Sequence, residues 1–279
     1  MNATTATSSS NNQRLRVAVA GASGRMGRML IEAIAQSDDL ALTAALDRPD
    51  SPALGTDPSA FLGLASGIVI ESDVRAALSK ADCLIDFTRP EGTLEHLKAC
   101  VKHGTKLIVG TTGFDDSGRA AIEVAAQKIA IVFAPNMSVG VNATFKLLEI
   151  AAKILNDGYD VEVFEAHHRN KVDAPSGTAL RMGETVARAW GVALPDVAEW
   201  ARHGETGARK PGSIGFSVVR GGDIVGDHTV MFCGTGERIE ITHRSTTRAN
   251  YAEGSLRAAR FLASKQTGIY DMQAVLGLD

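Results

Sequence analysis

The chain has 279 residues, 44% of them hydrophobic and 22% charged, enough to bury a full core in one large domain or two modest ones. With 29 Lys+Arg against 32 Asp+Glu the formal net charge is −3, which gives no general attraction for nucleic acid or an anionic membrane, so an acidic ligand has to be caught by a local cluster. Cys83, Cys100 and Cys233 are odd in number and lack metal-ligand or redox-pair spacing, and no apolar run reaches the roughly 18 residues of a membrane span, so a cytoplasmic protein without a bound metal is expected.

Residues 1–13 are rich in Ser, Thr and Asn without an apolar segment and read as a disordered tail rather than a signal peptide. From there strands and helices alternate. Leu15 to Ala20 is an apolar run closing on Gly21, and Arg25 to Ala35 has helical spacing. Strands are predicted at Leu40 to Leu46, Val69–Ile70, Cys83 to Phe87, Lys106 to Val109 and Ile129 to Phe133. Helices fall at Val74 to Lys80, Glu91 to His103 before the natural stop Gly104, and Asp115 to Lys128. This rhythm means a parallel sheet covered on both faces, an α/β, Rossmann-like domain.

The second half differs in texture. A helix from about Val141 to Leu155 leads into a strand at Asp160 to Ala166, a His-His loop and a helix from about Ser176 to Trp190. After a polar, glycine-rich stretch come alternating runs at Ser213 to Arg220, His228 to Cys233 and Arg238 to His243, with Gly221–Gly222 and Gly234 with Gly236 as turns. Hairpin-linked strands of this kind suggest an α+β domain with a mixed, largely antiparallel sheet. The helical pattern at Tyr251 to Ala263 suits packing back on the first domain. The expected division is a dinucleotide-binding domain of 14–138 plus 248–279 and a substrate-binding domain of 139–247, with hinges at Val139–Gly140 and near Ser245 to Arg248.

Gly21-Ala22-Ser23-Gly24-Arg25-Met26-Gly27 sits between a strand and a helix, where glycines permit a tight turn and close approach of backbone N–H groups to a pyrophosphate. The G-x-x-G-x-x-G spacing alone is a weak signal. Asp47, twenty residues past Gly27 at a strand end, strengthens it, because a carboxylate there accepts from a ribose hydroxyl; Arg48 beside it suits a 2′-phosphate. Thr88-Arg89-Pro90, Gly110-Thr111-Thr112-Gly113 and Ala134-Pro135-Asn136-Met137 are further loops leaving strand C-termini, the edge at which open α/β sheets bind ligands.

The run Glu165 to Ala179 reads EAHHRNKVDAPSGTA. A hydride delivered to an unsaturated carbon has to be matched by a proton, which a histidine titrating near neutrality supplies; His167 is the chosen donor. His168 and Lys171 offer hydrogen-bonding or cationic groups on the same loop, and Lys171 suits acid catalysis or a carboxylate. Ser176, Gly177 and Thr178 open the next helix and aim N–H groups and hydroxyls at one spot, a cradle for a substrate carboxylate. A sensor that binds a dinucleotide without turnover would need the glycine loop but not this constellation; an amino acid dehydrogenase of similar plan is the other competing reading.

This run closely resembles the signature of the bacterial 4-hydroxy-tetrahydrodipicolinate reductase family, also called dihydrodipicolinate reductases, and VAVAGASGRMGR, IDFTRPEGTL, GTTGF, APNMSVGVN, RHGETGARKPGSIGF and ERIEITHRSTTR resemble the family's other blocks in order. The resemblance covers essentially everything from Leu15 onward. It implies reduction of 4-hydroxy-tetrahydrodipicolinate to tetrahydrodipicolinate with loss of water, in lysine and diaminopimelate biosynthesis. It also implies NADH or NADPH as hydride source, a small dicarboxylate substrate and a homotetramer built through the second domain's sheet. By position it places Gly21 to Met26, Asp47, Arg48, Gly110 to Thr112 and Ala134 to Met137 around the dinucleotide. His167 is then the proton donor/acceptor and Lys171 a proton donor, with His168, Gly177 and Thr178 contacting substrate. Asp47 favours the ribose hydroxyl of NADH and Arg48 the phosphate of NADPH.

Overall fold

The computed structural model describes residues 14–278, so the expected disordered tail at 1–13 lies outside the described residues. The chain divides into two compact units, 14–133 with 255–269 and 134–254 with 270–278.

The first unit is built on a seven-stranded sheet. In chain order its elements are β1 (Leu15–Ala20), α1 (Arg25–Ala35), β2 (Leu40–Leu46), β3 (Ile70–Glu71), α2 (Val74–Leu78), β4 (Cys83–Asp86), α3 (Pro90–His103), β5 (Lys106–Val109), α4 (Asp116–Ala126) and β6 (Ala130–Phe133). The strand order is β12-β6-β5-β4-β1-β2-β3, with β12 (Gly268–Tyr270) joining from the far end of the chain. β1 to β6 pair in parallel throughout. Their residues are apolar in unbroken runs because helices cover both faces: all four residues of β4 are buried. Leu84, Leu107, Ile122 and Ile131 anchor this core. Helix ends follow local chemistry, with Asp73 and Asp115 accepting N–H groups at the starts of α2 and α4, and Pro90 opening α3 before Gly104 closes it at φ 69°.

The second unit contains α5 (Val139–Ile154), β7 (Asp160–His167), α6 (Gly177–Ala189), α7 (Leu194–Val197), β8 (Ala198–Glu199), β9 (Ile214–Arg220), β10 (Gly226–Cys233) and β11 (Arg238–Ser245). Its sheet runs β11-β10-β7-β9-β8 and is mixed: β10 is antiparallel to both β11 and β7, whereas β9 is parallel to β7 and β8. Only half of the strand pairs are therefore antiparallel, and Gly221–Gly222 does not close a hairpin of paired strands. The chain from β7 passes through α6 and α7 before returning, and such a crossover brings β9 back alongside β7 in the same direction. β7 thus separates β9 from β10. Val161, Val163, Val186, Phe216, Val230 and Phe232 form the core beneath α5 and α6.

α8 (Ala249–Ala263) carries Arg260 to a carboxylate of Asp39 at 2.8 Å, and its last carbonyls, Leu262 and Ala263, accept from Lys106 Nζ at 2.7 Å. The chain end does not stay with the first unit. α9 (Met272–Leu276) is capped by Asp271, and Gln273 Nε2 donates to the carbonyl of Asn142 on α5 at 2.9 Å, which fixes this segment to the second unit.

At the start of α1 the backbone is packed too closely for any side chain on Gly27: a Cβ there would sit 2.1 Å from the Gly21 carbonyl oxygen and 2.8 Å from Ala22 Cα. Backbone cannot retreat as a side chain would. Gly27→Ala is therefore expected to cost about 1–3 kcal/mol of stability by overpacking, read as a lower urea midpoint at unchanged m-value; an unchanged midpoint would show that the turn yields.

Candidate active site

In the first unit the glycine loop rises from β1 onto α1. Gly21 turns at φ 68°, Ala22 N donates to Leu46 O at 2.9 Å and Gly24 N to Gly21 O at 2.9 Å. Gly24 caps α1 with extended backbone and no side-chain bond, and no acidic residue lies in the first turn, so the positive end of α1 is free for an anion. Arg25 is exposed and Met26 half-buried there. Asp47 braces the loop: Oδ2 accepts from Ser23 N at 3.0 Å and Oδ1 from Arg48 N at 2.9 Å. Burial pushes this carboxyl upward, but the bonds from Ser23 and Arg48 outweigh it and hold the group below its ordinary value. The Arg48 side chain is exposed and paired with Asp50 at 3.2 Å. A bare helix end reached through close-packed glycines, with an ionised carboxylate at the next strand's tip, fits a dinucleotide.

The next two loops are tied together by hydroxyls. Thr93 Oγ1 donates to Thr111 Oγ1 at 2.9 Å and lies 3.4 Å from Thr88 Oγ1, which donates to Asp86 Oδ1 at 2.6 Å. Asp86 is fully buried and also takes Thr88 N at 2.8 Å and His96 Nδ1 at 2.7 Å. Thr111 is buried, Thr112 exposed, and a Cβ on Gly110 would meet the Phe87 ring at 2.2 Å. Sequence reasoning missed Asp86 and His96, whose ten-residue separation only the turn into α3 closes.

In the second unit, strand register assembles the polar site. Alternation along β7 puts Val161, Val163, Glu165 and His167 on the helix-covered face, which is apolar until its last two positions. Register sets Glu165 opposite His228 of β10, and His167 opposite Arg220 of β9. All four side chains thus share a face. Glu165, with 0% of its surface exposed, accepts from Ser176 N at 3.0 Å and from both terminal nitrogens of Arg220 at 2.8 Å, and its Oε2 lies 2.6 Å from His167 Nδ1. Burial acts upward on this carboxyl, yet Arg220, His167 and the Ser176 N–H together hold it below its ordinary value. His167 is lowered, by burial first, with Glu165 opposing.

Ser176 caps α6, accepting from Ala179 N at 3.2 Å, and its hydroxyl lies 3.0 Å from His228 Nε2. The rings of His167 and His228 meet edge to face at 5.0 Å. Gly177 is exposed at the helix start, with no atom near a Cβ placed there. Thr178 Oγ1 accepts from Asn136 Nδ2 at 3.3 Å, so the loop of Ala134 to Met137 meets the cradle. That loop is itself held, since Asn142 Nδ2 donates to Asn136 O at 2.9 Å and Asn136 Oδ1 accepts from Ser138 N at 2.9 Å. Ala134 and Met137 are buried and Pro135 exposed. Lys171 Nζ pairs with Asp173 at 2.8 Å, and the Asp173 carbonyl accepts from Arg220 at 2.6 Å. His168 Nδ1 is buried and has no hydrogen-bond partner among the described residues.

The expected cluster of His167, Lys171, Ser176 and Thr178 is thus one neighbourhood, joined by three groups given no role from sequence: Glu165, Arg220 and His228. Glu165 was legible as the residue two before His167 on the same strand face. Arg220 and His228 lie more than fifty residues away and carried no local signal.

His228 is 4% exposed, and burial, with the charge of His167 second, pushes its pKa down to about 4. Between pH 6.5 and about 4 the unfolded chain binds a proton that the folded one refuses. His228's contribution is therefore fully present above pH 6.5 and is lost as pH falls to about 4, on the order of 3 kcal/mol in all. His228→Asn should flatten the fall in unfolding free energy between pH 7 and about 4.5; equal slopes in both proteins would place the loss elsewhere.

Residues 15–137 match the family described as dihydrodipicolinate reductase, N-terminus, and residues 140–276 match dihydrodipicolinate reductase, C-terminus. A 4-hydroxy-tetrahydrodipicolinate reductase of Bordetella parapertussis is 73% identical over 263 residues, 94% of this chain and 97% of that one. One from Herminiimonas arsenicoxydans is 67% identical over 265 residues, 95% and 99% of the two chains. Among solved structures, a dipicolinate-bound dihydrodipicolinate reductase from Paenisporosarcina sp. TG-14 superposes with a TM-score of 0.74 at 23% identity, over 93% of this chain and 98% of that one, a likeness of fold.

Proposed function

The chain belongs to the dihydrodipicolinate reductase family, and from that membership we propose how its own residues divide the reaction. It is an oxidoreductase that converts 4-hydroxy-tetrahydrodipicolinate to tetrahydrodipicolinate, the reduction step of lysine and diaminopimelate biosynthesis. The reaction takes up one hydride and one proton and releases the ring hydroxyl as water. A bound nicotinamide dinucleotide supplies the hydride.

In this reading Gly21 to Met26 hold the pyrophosphate at the bare start of α1, supported by the braced loop and by Asp47. Gly110 to Thr112 and Ala134 to Met137 hold the nicotinamide half. For the ribose, Asp47 accepts from the 2′-hydroxyl of NADH, while Arg48, exposed and paired with Asp50, turns to the 2′-phosphate of NADPH. Both cofactors are then usable. The dipicolinate in the Paenisporosarcina structure supports a dicarboxylate ligand here. One carboxylate docks on Gly177 and Thr178 at the start of α6, where buried Ser176, its N–H and hydroxyl engaged by Glu165, Ala179 and His228, shapes the cradle from beneath, and the other faces His168 and Lys171.

His167 moves the proton at Nε2, the ring nitrogen that Glu165 does not engage. Burial lowers the proton affinity of the ring in the free enzyme, and a dianionic substrate beside it acts in the opposite direction. Lys171, already paired with Asp173, is a second proton donor and a counter-charge. The observation that carries this reading is the single buried network joining His167 to the cradle through Glu165.

One kinetic series tests it, following oxidation at the nicotinamide absorbance with 4-hydroxy-tetrahydrodipicolinate. His167→Gln should lower kcat on the order of a hundredfold or more with little change in KM for the dinucleotide, and Lys171→Ala should lower kcat and raise substrate KM together. Arg48→Ala should raise KM for NADPH and spare NADH. Wild-type turnover in His167→Gln would remove this histidine from the chemistry.

Assembly as a homotetramer through the second unit's sheet completes the reading; on the face turned away from α5 and α6, Val219 is 40% exposed. Sedimentation equilibrium is expected to give four times the chain mass, and a monomer would refute this part.

A further inference from the structure

We propose that Glu165 and Arg220 are positioning residues for the reductase reaction: Arg220 locks the buried Glu165 carboxylate in place, and Glu165 sets the tautomer of His167 and ties it to the substrate cradle. This deepens the proton-donor role assigned to His167 and rests on it.

The argument begins with burial. Glu165 has no exposed surface, and an ionised carboxylate there persists only if fully partnered. Both oxygens are partnered by Arg220 in fork geometry, at 2.8 Å each, and each takes one further group: Oε1 the Ser176 N–H, Oε2 the His167 ring. An ionised carboxylate has no hydrogen to donate, so the 2.6 Å contact requires the hydrogen to sit on His167 Nδ1. Nε2 is left as the nitrogen that exchanges a proton with substrate. Its surroundings agree. Nε2 faces Gly226 of β10, where a Cβ would lie 3.0 Å away, so glycine at that position leaves this nitrogen uncrowded.

Arg220 has a second task. It donates to the carbonyl of Asp173, whose carboxylate holds Lys171 Nζ. One guanidinium therefore orients both proton donors, His167 through Glu165 and Lys171 through the Asp173 backbone. The charged and titratable groups around the His167 ring are Glu165 on its own strand, Arg220 from β9, His228 from β10, and Lys171 with Asp173 in the following loop. Among them Glu165 is the anion in direct contact. Because donation needs the protonated ring, kcat should fall as pH rises through the His167 titration, and losing the Glu165 charge destabilises that protonated form.

The test uses the full-length enzyme. Nitrogen-15 NMR of the histidine rings in the unmutated protein should show His167 as the Nδ1–H tautomer; the Nε2–H tautomer would overturn the proposal whatever the variants do. Glu165→Gln should lower kcat on the order of tenfold to a hundredfold and move the alkaline limb of kcat toward lower pH by about one unit. A limb that stays in place, even with reduced kcat, would mean a merely structural role. Should Glu165→Gln not fold, Arg220→Lys and Arg220→Met decide: lysine is expected to retain more of the rate than methionine, and equal loss in both would refute the part given to charge at this position. The tautomer measurement does not depend on turnover, so it separates failure of this proposal from failure of His167 as proton donor, which His167→Gln reads directly.

Discussion

A carboxylate removed from water must be matched on every side, and Glu165 shows what that requirement does to a site. Its four hydrogen bonds come from three residues on three segments of the second unit: His167 beside it on β7, Arg220 (two bonds) at the end of β9, and the Ser176 N–H that opens α6. Removing one partner would leave a buried charge, which costs several kcal/mol. The network therefore holds together as a set, and His167 and the start of α6 are held by the same carboxylate.

The device recurs at smaller scale. Asp47 at the tip of β2 accepts from Ser23 in the glycine loop, and Asp86 at the end of β4 accepts from Thr88 in the loop that follows. In each case a largely apolar strand leads to a carboxylate at its end that fixes the backbone of a neighbouring loop. Strand interiors supply stability through burial and strand ends supply acceptors. Packing and site-building are thus separated along a strand, within a few residues of each other.

The second unit's sheet explains why the members of the buried network come from distant parts of the sequence. Placing β7 between a parallel β9 and an antiparallel β10 brings residue 220 and residue 228 to either side of residues 165 and 167. A meander with β9 paired to β10, as the Gly221–Gly222 turn suggested, would have set Arg220 and His228 against one another instead. Topology decides which face chemistry is possible on, because alternation sends every second side chain to that face.

Much of this was legible in the amino-acid sequence. Apolar runs closing on Gly21, Asp47 and Asn136 mark parallel strands, since only a sheet covered on both faces tolerates them, and the Glu165 to Thr178 segment carries donor, cation and helix cap in one stretch, because local contacts are written locally. What the tertiary structure alone decided is which remote residues complete that stretch: Arg220 and His228, the coupling of Asp86 to His96, and the placement of α9 against α5. The physical reason is that strand order and register bring these residues together across tens of positions, and neither leaves a periodic signature in the chain that forms it.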